Sequence, residues 1–144
     1  MTGRRRPAPA SGWDILSVVA AGGALGSVAR WALGEALGGS PGRFPWATLL
    51  ENFSGGFALG VLMVFALDRW PRSRYLRPFL GVGFLGGFTT FSTYMLDTRA
   101  LVVAERAPLA VVFLFGTLIA GLLAVWLGIV LARLVVRPSR ESTS

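Results

Sequence analysis

Residues 81–97 read GVGFLGGFTTFSTYMLD. Four glycines fall within seven residues (Gly81, Gly83, Gly86, Gly87), and Thr89, Thr90, Ser92 and Thr93 follow among aromatics. A helix facing only lipid needs neither feature. Each glycine costs a helix roughly 1 kcal/mol against alanine, and an unpartnered hydroxyl costs desolvation. Non-helical backbone is tolerated at membrane depth only where it is buried in protein or lines a wet cavity. The stretch therefore predicts a membrane helix that is interrupted near residues 86–90, with carbonyls and hydroxyls freed to coordinate something.

The rest of the chain fits that setting. Of 144 residues, 53% are hydrophobic, and the mean hydropathy is +0.62. This is too apolar for a water-soluble domain of such length. Cysteine is absent, which excludes disulfides and thiolate metal sites. Histidine is absent too, removing the usual general base and the commonest metal ligand. Without these, and with so few acids, no nucleophile–base pair can be assembled, so an enzyme is not expected. All 14 basic residues are arginines. They stand at the ends of apolar runs, which suits anionic lipid headgroups rather than nucleic acid.

Four apolar runs predict four transmembrane helices at about residues 13–37, 44–67, 78–97 and 107–133, together a membrane domain over 13–134. Short tails flank it at 1–12 and 135–144. In the first run Gly22 and Gly26 are four apart, a spacing that admits a close neighbour helix. Arg30 lies about one turn inside that run, and reads either as snorkelling to the headgroups or as a fixed charge at a pore mouth. The 38–43 stretch GGSPGR is a turn by composition. Pro45 is well placed for the first turn of the second helix.

In the second run Thr48 and Asn52 share a face. Asn52 either bonds a neighbouring helix or lines a pore. Glu51, beside it, is a buried carboxylate with a function, or is shallow enough to reach water or an arginine. In the last run Thr117 and Gly121 are four apart. Thr117 either lines a face or bonds back to its own helix.

Four spans put both termini on one side. That side carries ten arginines (4, 5, 6, 69, 72, 74, 77, 133, 137 and 140), against three opposite (43, 99 and 106). The positive-inside rule then predicts cytoplasmic termini and a single orientation in the cell membrane.

Three motifs, GGALGSVARW (22–31), FPWATLLENFSGGFALG (44–60) and GFLGGFTTFSTYMLD (83–97), stand in order along nearly the whole chain. Together they resemble the Fluc (CrcB-type) fluoride channel family, GGFTTFST being the most specific element. The resemblance implies an all-α membrane protein: an antiparallel, dual-topology-type dimer of four-helix subunits, each with its third helix broken near the centre. It also implies two narrow fluoride pores at the subunit interface and passive export of fluoride, which limits fluoride toxicity. A structural sodium ion at the two-fold centre is implied, held by the backbone carbonyls of Gly86 and Thr89. The family's pore aromatics fall on Phe91 and Tyr94, its pore asparagine on Asn52, and its hydroxyl track on Thr48 and Thr117. Thr93 adds a further hydroxyl.

Physical chemistry fits these implied roles. A hard cation takes oxygen ligands, and freed carbonyls supply them without net charge. Fluoride needs donors in place of its water shell, and the amide and hydroxyls are donors. Aromatic rings present a positive edge to an anion. The aromatic stripe Phe84, Phe88, Phe91, Tyr94 also follows ordinary helical packing, so its spacing alone leaves pore lining open.

The chain departs from the family pattern at three positions. Tyr94 stands for phenylalanine, Glu51 for an apolar residue, and Met95 for serine. Its strong charge bias suits a heterodimer with a related chain of opposite orientation. Glu51 also supports a different reading, a small four-helix proton-coupled multidrug or cation antiporter with Glu51 as its ion-binding carboxylate. A third reading is a scaffold subunit whose glycines serve packing alone.

Overall fold

A computed structural model describes residues 12–38, 42–68 and 74–136, with backbone only at 67–68. Both tails, the centre of the 38–43 turn and most of the arginine-rich connection after the second run lie outside these residues. The described chain is helical without strands. Four of its segments are long and apolar enough to cross a membrane.

The elements are α1 (Gly12–Leu37), α2 (Trp46–Asp68), α3 (Pro78–Leu85), α4 (Gly86–Phe88), α5 (Ser92–Val103) and α6 (Ala107–Val135). The third span, Pro78–Val103, is composed of α3 to α5 and runs on past Asp97. Its first part, α3, is wound as a π-helix, a form that concentrates at functional sites.

The ends follow local chemistry. Gly38 takes φ +57° and donates its N–H to the Gly34 carbonyl at 3.1 Å, a left-handed glycine cap that closes α1. Pro45 precedes α2 and accepts the Leu49 N–H at 3.2 Å. Pro108 sits in the first turn of α6, where its missing N–H costs nothing.

Glycine decides the packing. The helices pair as α1 with α3 and α4, and as α2 with α6. A Cβ on Gly83 would lie 2.7 Å from the Val19 carbonyl oxygen, and one on Gly26 would strike the Phe84 carbonyl. In the other pair, a Cβ on Gly60 would strike the Val125 carbonyl, and one on Gly128 the Phe57 carbonyl. Backbones meet directly at these points, which is how helices associate where no hydrophobic effect acts between them.

Only 11–28% of each span's apolar window is buried within the chain. A buried cluster joins Tyr94, Leu101, Ala110 and Phe113, with Phe44 edge-on to Phe113 at 5.5 Å. The remaining apolar faces point outward, as they must in a lipid solvent.

Candidate functional site

Residues 89–91 lie between α4 and α5 and are not helical. Thr89 is extended, with φ −79° and ψ 152°. Gly55 on α2 makes the room: a Cβ there would strike the Thr89 methyl.

Asn52 holds this geometry from the facing helix. The Thr90 N–H donates to Asn52 Oδ1 at 2.9 Å, and Asn52 Nδ2 donates to the Thr90 carbonyl at 3.0 Å. The amide thus pairs with both backbone groups of a residue 38 positions away. Thr90 is itself buried, so its backbone groups require partners. Its hydroxyl accepts the Thr93 N–H at 3.1 Å and so caps the first turn of α5.

These bonds free two carbonyls. In a continuous helix the Thr90 N–H would bond the Gly86 carbonyl and the Thr93 N–H the Thr89 carbonyl. Both donors are turned elsewhere. Gly86 faces open space, with nothing within 4 Å of a Cβ built on it. The donor set fits a hard cation, being neutral oxygen only.

The open side is a cavity of about 440 Å³, lined among others by Asn52, Gly86, Thr89, Phe91, Tyr94 and Thr117. Phe91 is 72% exposed. Tyr94 stands 5.9 Å from it, ring centre to ring centre, and is buried. The Tyr94 hydroxyl donates to the Leu114 carbonyl on α6, so the extra oxygen has a partner. Among the described residues the Thr117 hydroxyl has none: it does not bond back to its own helix.

A second cavity, about 410 Å³, takes the other hydroxyls. Thr48, Glu51, Thr93 and Asp97 line it, with Gly34 and Arg43. Thr48 Oγ1 donates to Asp97 Oδ2 at 2.5 Å. Glu51 is 3% exposed, and Arg30 on α1 and Asp97 on α5 are the charges acting on it. Thr48 and Thr117, placed on one track by the resemblance, therefore line different cavities. Arg30 itself is half-buried.

The sequence names Thr90 among the hydroxyls of the 86–90 interruption without giving it a partner, and gives Asp97, at the end of the predicted third helix, no role.

At the far end, Asp14 pairs with Arg74 at 3.0 Å and accepts the Tyr75 hydroxyl at 2.8 Å, tying α1 to the connection before α3. That bond to a carboxylate holds the Tyr75 phenol above its ordinary value.

The family described as CrcB-like protein, Camphor Resistance (CrcB), matches residues 17–129. Fluoride-specific ion channel FluC 3 of Streptomyces avermitilis is 48% identical over 120 residues, covering 83% of this chain and 59% of that protein. FluC 2 of Nocardia farcinica is 46% identical over 119 residues, covering 83% of this chain and 85% of the relative. FluC 1 of Streptomyces coelicolor is 43% identical over 140 residues, covering 94% and 91%. With matching motifs, four apolar spans and relatives of this similarity, the chain belongs to the CrcB family.

Proposed function

We propose that the chain is a subunit of a fluoride-selective channel that exports fluoride passively from the cytoplasm. Relatives named as fluoride-specific channels at 43–48% identity support the substrate. The observation that carries the reading is the non-helical stretch at 89–91 beside the half-open cavity.

In this reading two subunits meet across that open side, antiparallel in the membrane. Gly86 and Thr89 present their carbonyls to a sodium ion there. When bound, the ion supplies positive charge and joins the subunits; it is structural and not transported. The permeating fluoride loses water and needs donors in exchange. Asn52 Nδ2 has a second hydrogen beyond the one given to Thr90, and Thr117 has a free hydroxyl. Phe91 and Tyr94 offer ring edges. Thr48 and Thr93 serve the approach through the second cavity, with Arg30 as the positive charge near its mouth.

The charge bias supports cytoplasmic termini and a single orientation. The partner is then a related chain of opposite orientation. Liposomes carrying this chain, alone and with a related second chain, test the proposal by fluoride efflux with and without sodium. Efflux that is selective for fluoride and sodium-dependent supports it. Efflux from neither preparation refutes it, and robust efflux from this chain alone refutes the heterodimer.

A further inference from the structure

We propose that Glu51 and Asp97 form a proton-operated gate on the approach to the pore. This rests on the channel reading above.

Both carboxyl groups line the same cavity. Asp97 has a hydroxyl donor, Thr48, at 2.5 Å, the length of a charge-assisted O–H···O⁻ bond. Glu51 is 3% exposed, yet no hydrogen bond or ion pair reaches its side chain among the described residues. Its Oε1 lies 3.8 Å from the point where a Cβ on Gly34 would stand. Glycine at that position presents the carboxyl with α1 backbone and no side chain.

The groups around Glu51 are few. α1 brings Arg30, α5 brings Asp97 with Thr93, and α2 brings Thr48. Arg43 lines the cavity from the turn before α2, and α6 contributes no lining residue.

A buried carboxylate without a partner is costly, and a second carboxylate in the same cavity repels it. Asp97 already accepts a donor and Glu51 does not, so a proton entering the cavity goes to Glu51. With both groups ionised, an approaching anion meets two carboxylates set against Arg30 and Arg43. With Glu51 protonated it meets one carboxylate against the same two cations. Removing one charge from a weakly screened path changes anion occupancy on the order of ten-fold. Thr48 sets which carboxyl takes the proton and thus acts as a positioning residue.

The test is fluoride flux through the full chain in vesicles, with its partner chain where one is required, from alkaline to mildly acidic pH. Protein-free vesicles correct for leakage of HF. Wild-type flux rises on the order of ten-fold with acidification. Glu51→Gln gives flux that is high and independent of pH. A Glu51→Gln profile superimposable on wild type overturns the gate, and so does loss of flux in that variant, which returns Glu51 to the coupled-carrier reading.

Infrared pH-difference spectra of the chain in lipid provide a readout that needs no flux. A titrating carboxyl band that vanishes in Glu51→Gln and moves in Asp97→Asn supports the pair. A spectrum unchanged by Glu51→Gln overturns it. Should no preparation pass fluoride while the band behaves as expected, the proton site stands and the channel reading falls.

Discussion

Replacing Asn52 by alanine removes two hydrogen bonds at once, at 2.9 and 3.0 Å. Both belong to the backbone of Thr90, which is only 8% exposed. Stranding a buried backbone group costs about 1–3 kcal/mol, while hydrogen bonds between membrane helices are worth about 0.6–2 kcal/mol each. Two such bonds give an expected loss of about 2–4 kcal/mol for the truncated chain. The chain can escape part of this by closing the helix, because the Thr90 N–H then returns to the Gly86 carbonyl. Either response removes the freed carbonyl at Gly86 or loosens it. The assay is thermal unfolding in detergent, with and without sodium, combined with hydrogen exchange at the Thr90 amide. Asn52→Ala should unfold at lower temperature, lose any stabilisation by sodium, and change Thr90 protection. Asn52→Asp keeps the acceptor for the Thr90 N–H but sets a carboxylate oxygen against the Thr90 carbonyl, so it should be no better. If Asn52→Ala keeps wild-type stability and wild-type Thr90 protection, the asparagine is not the strut described above.

Gly26→Ala forces a methyl into the Phe84 carbonyl, and overpacking of this kind costs about 1–3 kcal/mol; a lower unfolding temperature checks it. Gly86→Ala adds a methyl where the single subunit has nothing within 4 Å. It should leave the subunit's helicity intact and weaken dimer formation, read by cross-linking in vesicles. Tyr94→Phe removes the hydroxyl bonded to the Leu114 carbonyl and should cost about 0.5–1.5 kcal/mol while fluoride flux is retained. Tyr75 has its phenol raised by the bond to Asp14, so the stabilisation is present below the free phenol's pKa of 10.0 and lost as pH climbs through the raised value. In a Tyr94→Phe background, Asp14→Asn should bring the phenolate absorbance of Tyr75 in at lower pH.

The four spans were legible because membrane depth imposes length and composition directly: about 20 apolar residues cannot be hidden in a sequence. The family was legible from three short motifs. The glycines were harder. Their density in 81–87 reads as helix-breaking, yet Gly83 and Gly87 lie against the α1 backbone at Val19 and Gly23, inside helical segments. A missing Cβ has the same appearance in sequence whether it loosens a helix or admits a neighbour. The extended residue is Thr89, and what permits it is remote: Gly55 supplies the space and Asn52 the bonds. Neither could be inferred from residues 81–97 alone.

The same limit applies to the polar side chains, because a sequence gives spacing on a helix and not the partner across it. Thr48 and Asn52 share a face by spacing, but Thr48 is spent on Asp97 and Asn52 on Thr90. What remains for a ligand in the first cavity, among the described residues, is one amide hydrogen of Asn52 and the unpartnered Thr117 hydroxyl. Both lie in the cavity that also holds the exposed Phe91 and the bare Gly86 and Gly121. Two donors cannot replace the hydration shell of a small anion. The open face of Gly86 and Gly121 is therefore where the proposed dimer has to contribute the rest, and the subunit's small core follows from the same cause. The surface that would close a soluble fold is left here for lipid and, in the proposed dimer, for a second chain.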